Sequence, residues 1–325
     1  MAENEQNFRF EGSGFELFRL YLANLFLTVV TFGIYFFWAK VKTQKYFYNH
    51  TLFMNGRFDY HVTGKEKFIA FLKGVLILIP AILIILYGLP WLLTRAGLNE
   101  IVATIVSVIF LYAVILFLIP AMMYGSMKFK LARSSWNSIH FRYNGRVKEL
   151  YKIFFKGLLL SIVTLGFYSI WFGVNLKKYH TSHSAIGNSS FDYDGTGKDI
   201  FFLILKGMFL TMLSCGLYYP WFLASLIRYD WEHSSLQGSR FRSGVTGGGM
   251  FLLMLKTVAL TIFTLGIGLA WVAIMQRKYM TDTLAIAGAI DLTQIEARPD
   301  RGSSALADGL AEAGDFFDMI GDFFV

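Results

Sequence analysis

The sequence predicts an all-α membrane protein built from internal repeats of about 50 residues, each a helix–break–helix hairpin, joined by short cytoplasmic β-hairpin linkers. Three observations carry that prediction. The first is composition: 55% of the 325 residues are hydrophobic, 18% aromatic and only 16% charged, with a mean hydropathy of +0.49. A soluble domain carries about 25% charged residues, so disorder, a disulfide-stapled secreted scaffold and an ordinary cytosolic enzyme are all excluded. The second is a ruler that runs through the chain. Phe141, Phe191 and Phe241 are spaced 50 residues apart, as are Trp171, Trp221 and Trp271. The third is charge placement, with lysine and arginine concentrated between the apolar runs.

In chain order, residues 1–19 are mixed in charge, and the first apolar run, Leu20 to Ala39, is too long for the core of a cleavable signal. That run opens the first unit, about 8–57, which carries the ruler marks Gly33, Trp38, Lys45 and Tyr46. The second unit, about 58–140, departs from the pattern. Its apolar stretches Phe68–Leu93 and Ile101–Met123 each exceed the roughly 20 residues that a helix needs to cross a bilayer. The polar loop from Arg95 to Glu100 makes them a transmembrane hairpin. Units of about 141–190, 191–240 and 241–291 then repeat the first. Gly166, Gly216 and Gly266 stand five residues before their tryptophans, and Tyr179, Tyr229 and Tyr279 stand eight after them, each preceded by a basic residue. Residues 1–291 thus read as one repeat-built membrane domain, followed by a linker at 292–304 and an acidic amphipathic tail helix at 305–325.

Two architectures fit the four regular units: single spans, or hairpins whose ends return to the same face. Thr164-Leu165-Gly166 reads as a helix stop with glycine at C′, and Pro220 suits the first turn of a new helix. A kinked span would accommodate both. Charge sidedness favours the hairpins, because alternating spans would divide the basic linkers between the two faces, whereas hairpins put them on one and leave Arg95 nearly alone on the other. Both termini are then expected in the cytoplasm. Asn55-Gly56, Gly187-Asn188 and Gln237-Gly238 fit two-residue β-turns, and the Phe-x-Tyr strands beside them are expected to lay their aromatics on the helix ends. The single cysteine, Cys215, reads as a small packing residue.

The Phe-x-Tyr-x-Gly linkers, the Thr-Leu-Gly-Phe-Tyr run at 164–168, the Tyr-Tyr-Pro-Trp at 218–221 and the basic-Tyr helices together resemble the YjgN family of bacterial inner-membrane proteins, over about residues 8–291. The resemblance implies a multi-pass protein of the cytoplasmic membrane. It brings no established activity, cofactor or catalytic residue, and it hints at a membrane-associated metallopeptidase as a partner.

The residues themselves carry little chemistry. His50, His183 and His233 each follow a repeat tryptophan by 12 residues; three equivalent copies point to packing rather than catalysis. His180 and His183 could share a helical face as half of a metal site, but no paired cysteines or HExxH run accompany them. Lys73, Lys156, Lys206 and Lys256 stand near the starts of apolar runs, where lysine extends its ammonium to the headgroups. Gly195-Thr196-Gly197 and Gly247-Gly248-Gly249 lack phosphate-loop spacing and read as turns feeding helices. No catalytic residue, metal or cofactor is therefore expected. The net charge of +8 points to a bilayer with anionic headgroups rather than nucleic acid.

In the tail, Leu306, Leu310, Phe317, Ile320 and Phe324 recur at helical spacing among acids, which suits docking into a protein groove or onto the chain's own basic face. The expected function is a non-enzymatic inner-membrane scaffold or adaptor with an unidentified protein partner. A transporter or lipid-handling protein is the alternative, and a polar cavity at Lys156, Lys206 or Asn175 would favour it.

Overall fold

In the computed structural model, which describes residues 5–288, the linkers do not stay separate. Ten short strands join into one closed antiparallel barrel, β1 (Glu5–Phe10), β2 (Thr51–Phe53), β3 (Gly56–Tyr60), β4 (Ser134–Trp136), β5 (Ile139–Tyr143), β6 (Ser184–Ile186), β7 (Ser189–Tyr193), β8 (Ser234–Leu236), β9 (Ser239–Ser243) and β10 (Leu284–Ala287). Each strand pairs with its sequence neighbours, and β10 closes on β1 with Ile286 opposite Gln6. The all-α expectation is therefore wrong. The physical reason is that an isolated two-stranded hairpin is marginal in water, while closure pairs both edges of every strand. The turns expected at Gly187-Asn188 and Gln237-Gly238 occur, whereas the first lies one residue earlier than expected, at Met54 (φ +46°) and Asn55 (φ +63°), because Gly56 already pairs with Phe53 in β3.

Between the strands run the helices α1 (Gly14–Val30), α2 (Phe36–Asn49), α3 (Gly64–Leu83), α4 (Leu89–Arg95), α5 (Glu100–Ala132), α6 (Val147–Val163), α7 (Ser169–Ser182), α8 (Gly197–Leu213), α9 (Tyr219–Glu232), α10 (Gly247–Phe263) and α11 (Leu269–Asp282). The order strand–helix–turn–helix–strand recurs with the same lengths, 17 residues in α1, α6, α8 and α10 and 14 in α2, α7, α9 and α11. Threonine starts several of these helices. Thr63 forms a capping box with Glu66, and the side chains of Thr196 and Thr246 accept the N–H of Asp199 and Gly249.

The chain divides into two compact units, the described residues on either side of 63–130 and residues 63–130 themselves. In the first unit, strand pairing fixes where the helices attach. β5 ends where α6 begins, and β6 begins where α7 ends; the two strands are antiparallel, with Tyr143 opposite Ser184. Both helix attachments therefore lie at one rim of the barrel, and the same holds for β1/β2, β7/β8 and β9/β10. The two-residue turns lie at the other rim. In the second unit, Gly64–Arg95, with a π-helical turn at Ile84–Gly88, and Glu100–Ala132 are the two described helices long and apolar enough to cross a membrane.

Candidate functional site

Inside the barrel the ruler's phenylalanines meet. Phe8, Phe58, Phe141, Phe191 and Phe241 form a closed circuit with neighbouring ring centroids 6.3–6.5 Å apart and planes inclined by 10–28°. Five rings so nearly parallel cannot each face the next around a closed loop. They lie side by side across the lumen, placed there by the strands that carry them. Directly opposite each, on the paired strand, sit Phe53, Trp136, Ile186, Leu236 and Ile286. The two layers leave a cavity of about 240 Å³ lined by apolar side chains alone. These phenylalanines thus point into the barrel and not, as expected, onto the helix ends. Outward alternate the exposed Arg57, Asp59, His140, Asp192, Arg240 and Arg242.

The repeat tyrosines tie each helical hairpin at its barrel end. The Tyr179 hydroxyl accepts the Arg146 N–H and donates to the Arg146 carbonyl, both at 2.7 Å, so the end of α7 is bound to the N-cap of α6. Tyr46 does the same to Ser13 (2.7 and 2.9 Å), Tyr229 to Thr196 (2.8 and 3.3 Å) and Tyr279 to Thr246 (3.0 and 3.2 Å). The repeated histidines complete the same corner. Nδ1 of His50, His183 and His233 lies 2.7–2.8 Å from the carbonyl of Tyr46, Tyr179 and Tyr229, and Thr283 donates its hydroxyl to Tyr279 at 2.6 Å. His180 bonds elsewhere, through Nδ1 to the Tyr143 hydroxyl at 2.8 Å, so the two candidate ligands are committed to different partners. Burial, with the neighbouring His183, pushes the His180 imidazole down to about 4. Among the described residues no three His, Cys, Asp or Glu side chains gather as a ligand set.

The repeat tryptophans join one hairpin to the next. A Cβ built on Gly197 would lie 2.3 Å from Trp171 Cδ1, one on Gly247 2.0 Å from Trp221, and one on Gly14 2.3 Å from Trp271. Each indole also meets a phenylalanine of the following helix: Trp171 with Phe201, Trp221 with Phe251 and Trp271 with Phe18, at 5.4–5.5 Å. Glycine at the head of α1, α8 and α10 is what allows the indole to close on the backbone.

At the far end, the repeat glycines build the hairpin tips. Thr164 ends α6, Leu165 takes φ +51° and Gly166 φ +93°, so glycine stands one position later than C′ and a leucine occupies the first left-handed place. The Gly33, Gly216 and Gly266 tips repeat the pair with Phe32, Cys215 and Leu265. Cys215 is thus an exposed tip residue, not a packing residue. Every N–H from Thr164 to Ser169 is satisfied: Gly166 reaches Ser161 O at 2.7 Å, and Tyr168 reaches the Thr164 hydroxyl at 2.9 Å, which itself donates to Leu160 O. Yet the side chains face outward; Phe32 is 97% exposed and Leu165 and Leu265 are 92% exposed. Hydrogen-bonded backbone beneath unburied apolar side chains is suited to lipid.

Lys73, Lys156, Lys206 and Lys256 are all exposed. The docking residues Leu306, Leu310, Phe317, Ile320 and Phe324, with the linker and tail, lie outside the described residues. The phenylalanine circuit is what sequence reasoning missed, although the 50-residue interval from Phe8 to Phe58, Phe141 to Phe191 and Phe191 to Phe241, interrupted by the 83 residues from Phe58 to Phe141, was the available signal.

The sequence matches the family described as "Bacterial protein of unknown function (DUF898)" in three overlapping segments, residues 5–156, 141–219 and 201–313. It is similar to proteins named "Inner membrane protein YjgN": 29% identical to that of Salmonella typhimurium over 48% of this chain and 36% of the relative. The proteins of Escherichia coli O157:H7 and K12 are 25% and 26% identical over 55% and 48% of this chain and 40% and 36% of theirs. The matched region is therefore less than half the length of these relatives. No solved structure matches.

Proposed function

We propose, for a chain that belongs to the DUF898 family of bacterial proteins and is an inner-membrane protein by its likeness to those relatives, that it is a non-enzymatic scaffold. On this reading it is multi-pass, anchored by the helices of residues 64–132. It stands on helical hairpins dipped into the cytoplasmic leaflet and holds the β-barrel in the cytoplasm as a platform, with both termini on that side.

The observation that carries the reading is the attachment of helical hairpins to a single barrel rim, with their apolar tips at the far end. A closed barrel cannot be divided between two compartments, which weighs against spans that alternate its linkers across the membrane. Depth supports a single leaflet. Lys156 lies eight residues before the Thr164 turn, about 12 Å of helix, against about 15 Å for half of a hydrocarbon core. The tip then sits near the midplane and the ammonium near the headgroups. The exposed outer strand face, with Arg57, His140 and Arg240, is the docking side, and a membrane-associated metallopeptidase is the first partner to try.

A photo-crosslinking residue at His140 or Arg240 is expected to trap protein in cells, and one at Leu165 to trap lipid. Absence of protein adducts from every outer barrel position would refute the scaffold. A lipid-handling role is the second reading. A cavity of about 620 Å³ among α2, α9, α10 and α11, lined by Phe47, Met250, Met254 and Arg277, favours it.

A further inference from the structure

The geometry points to a binding site for the phosphate of an anionic glycerophospholipid in the groove between α6 and α7. This rests on the leaflet-dipped reading above and adds to it a specific ligand and its residues. The groove holds about 320 Å³ and is lined by Lys156, Tyr168, Asn175, Lys178, Ser182 and His183, together with Ile153, Gly157 and Tyr179. Two cations share it, and no carboxylate is among its lining residues. Glu149 stands at the aqueous end, 3.7 Å from Nε2 of the lining residue His183 and paired with Arg146 at 3.5 Å. Among the described residues, the Lys156 and Lys178 ammoniums, the Asn175 amide and the Tyr168 hydroxyl make no hydrogen bond or ion pair. Four unspent donors on one groove match the oxygens of a phosphodiester.

The helix pair explains why space remains there. Gly157 lets Phe172 pack onto α6, since a Cβ on Gly157 would lie 2.1 Å from that ring. The helices close at this level, and the lysine one residue earlier lies beside the opening. Toward the tip, Leu159, Ile162, Val163 and Phe167 are exposed and offer a surface for acyl chains. A headgroup in the groove therefore leaves its chains where the bilayer core begins. The other hairpins hold only parts of this set. The α8–α9 pair has Lys206, Tyr218 and Arg228 with serine at 225, while the α10–α11 pair has methionine at 275 and glycine at 268.

The full-length protein, reconstituted in nanodiscs of phosphatidylcholine with a minor share of phosphatidylglycerol and released for native mass spectrometry, reads the site directly. We expect retained phosphatidylglycerol on the wild type, an approximately tenfold loss in Lys156→Gln/Lys178→Gln, recovery in Lys156→Arg/Lys178→Arg, and no loss in Lys198→Gln. Equal retention by the glutamine pair, or equal loss in Lys198→Gln, would overturn the site. Displacement of the lipid by millimolar inorganic phosphate would make it a free-anion site and overturn the lipid assignment. Quenching of tryptophan fluorescence by chain-brominated lipid, lost in part on Trp171→Phe, reports insertion separately. Quenching without selective retention refutes the site alone, and its absence refutes the dipped hairpin.

Discussion

Removing one oxygen atom from Tyr179 tests the way the hairpins are tied. In Tyr179→Phe the ring keeps its packing, and it is 5% exposed in the wild type. What disappears is the hydroxyl that serves both the N–H and the carbonyl of Arg146 at 2.7 Å. Two ordinary hydrogen bonds contribute about 0.5–1.5 kcal/mol each, and a donor left unpaired costs about 1–3 kcal/mol. Because Arg146 is itself exposed and water can reach part of the freed backbone, we expect a net loss of about 2 kcal/mol. The equivalent Tyr229→Phe removes bonds of 2.8 Å and 3.3 Å to Thr196 and a long one of 3.5 Å to Asp199, all in an exposed setting, and should cost about 1 kcal/mol or less. Reversible denaturant unfolding in mild detergent, followed by tryptophan fluorescence, measures both. Equal effects, or a larger loss from Tyr229→Phe, would refute the claim that the repeat tyrosine acts through its hydroxyl on the N-cap.

Other outcomes follow from the same geometry. Gly197→Ala sets a methyl against Trp171 and should destabilise by about 1–3 kcal/mol; Gly173→Ala, with open space around its Cβ, should be neutral or stabilising by up to about 1 kcal/mol in the same assay. His180 is held down to about 4 in the folded chain against 6.5 when unfolded. Below pH 6.5 the unfolded state therefore takes up a proton that the folded state refuses. Stability falls as pH drops from 6.5 to about 4 and levels off below that. The linkage could reach about 3 kcal/mol, reduced to about 1–2 kcal/mol by the ring's partial exposure. A pH series of unfolding midpoints should show this slope in the wild type and lose it in His180→Phe. Phe191→Ala opens the circuit of rings and should cost about 2–4 kcal/mol, measured by unfolding; no change would show that the lumen is not a packed core.

Much of this was legible because each ruler residue does one repeated job. Tyr179 recurs as Tyr46, Tyr229 and Tyr279 because its hydroxyl must reach an N-cap 33 residues earlier, and a phenylalanine cannot do that. The glycines recur because a left-handed turn at φ near +90° is strained for any side chain. His183 recurs beside Tyr179 as a helix-end partner, and the spacing alone suggested packing. The barrel was hidden for the opposite reason. Its strands are three to six residues long, and its closure pairs Gln6 with Ile286, a contact with no local signature. Nor does a Phe-x-Tyr strand say which face is inside. Phe58 and Phe141 alternate correctly either way, and only closure decides that they point into the lumen. Asn175 and Lys178 acquire meaning only when α7 is laid against Lys156 on α6.

The most direct test is the sidedness of the turns. In a Cys215→Ser background, which removes the single cysteine of the chain, cysteines placed at Asn137, Asn188 and Gln237 can be probed with a membrane-impermeant thiol reagent in right-side-out and inverted vesicles. The account predicts that all three react from the cytoplasmic face and that a cysteine at Leu98 reacts from the periplasmic face. Reaction of Asn188 and Gln237 from opposite faces would contradict it.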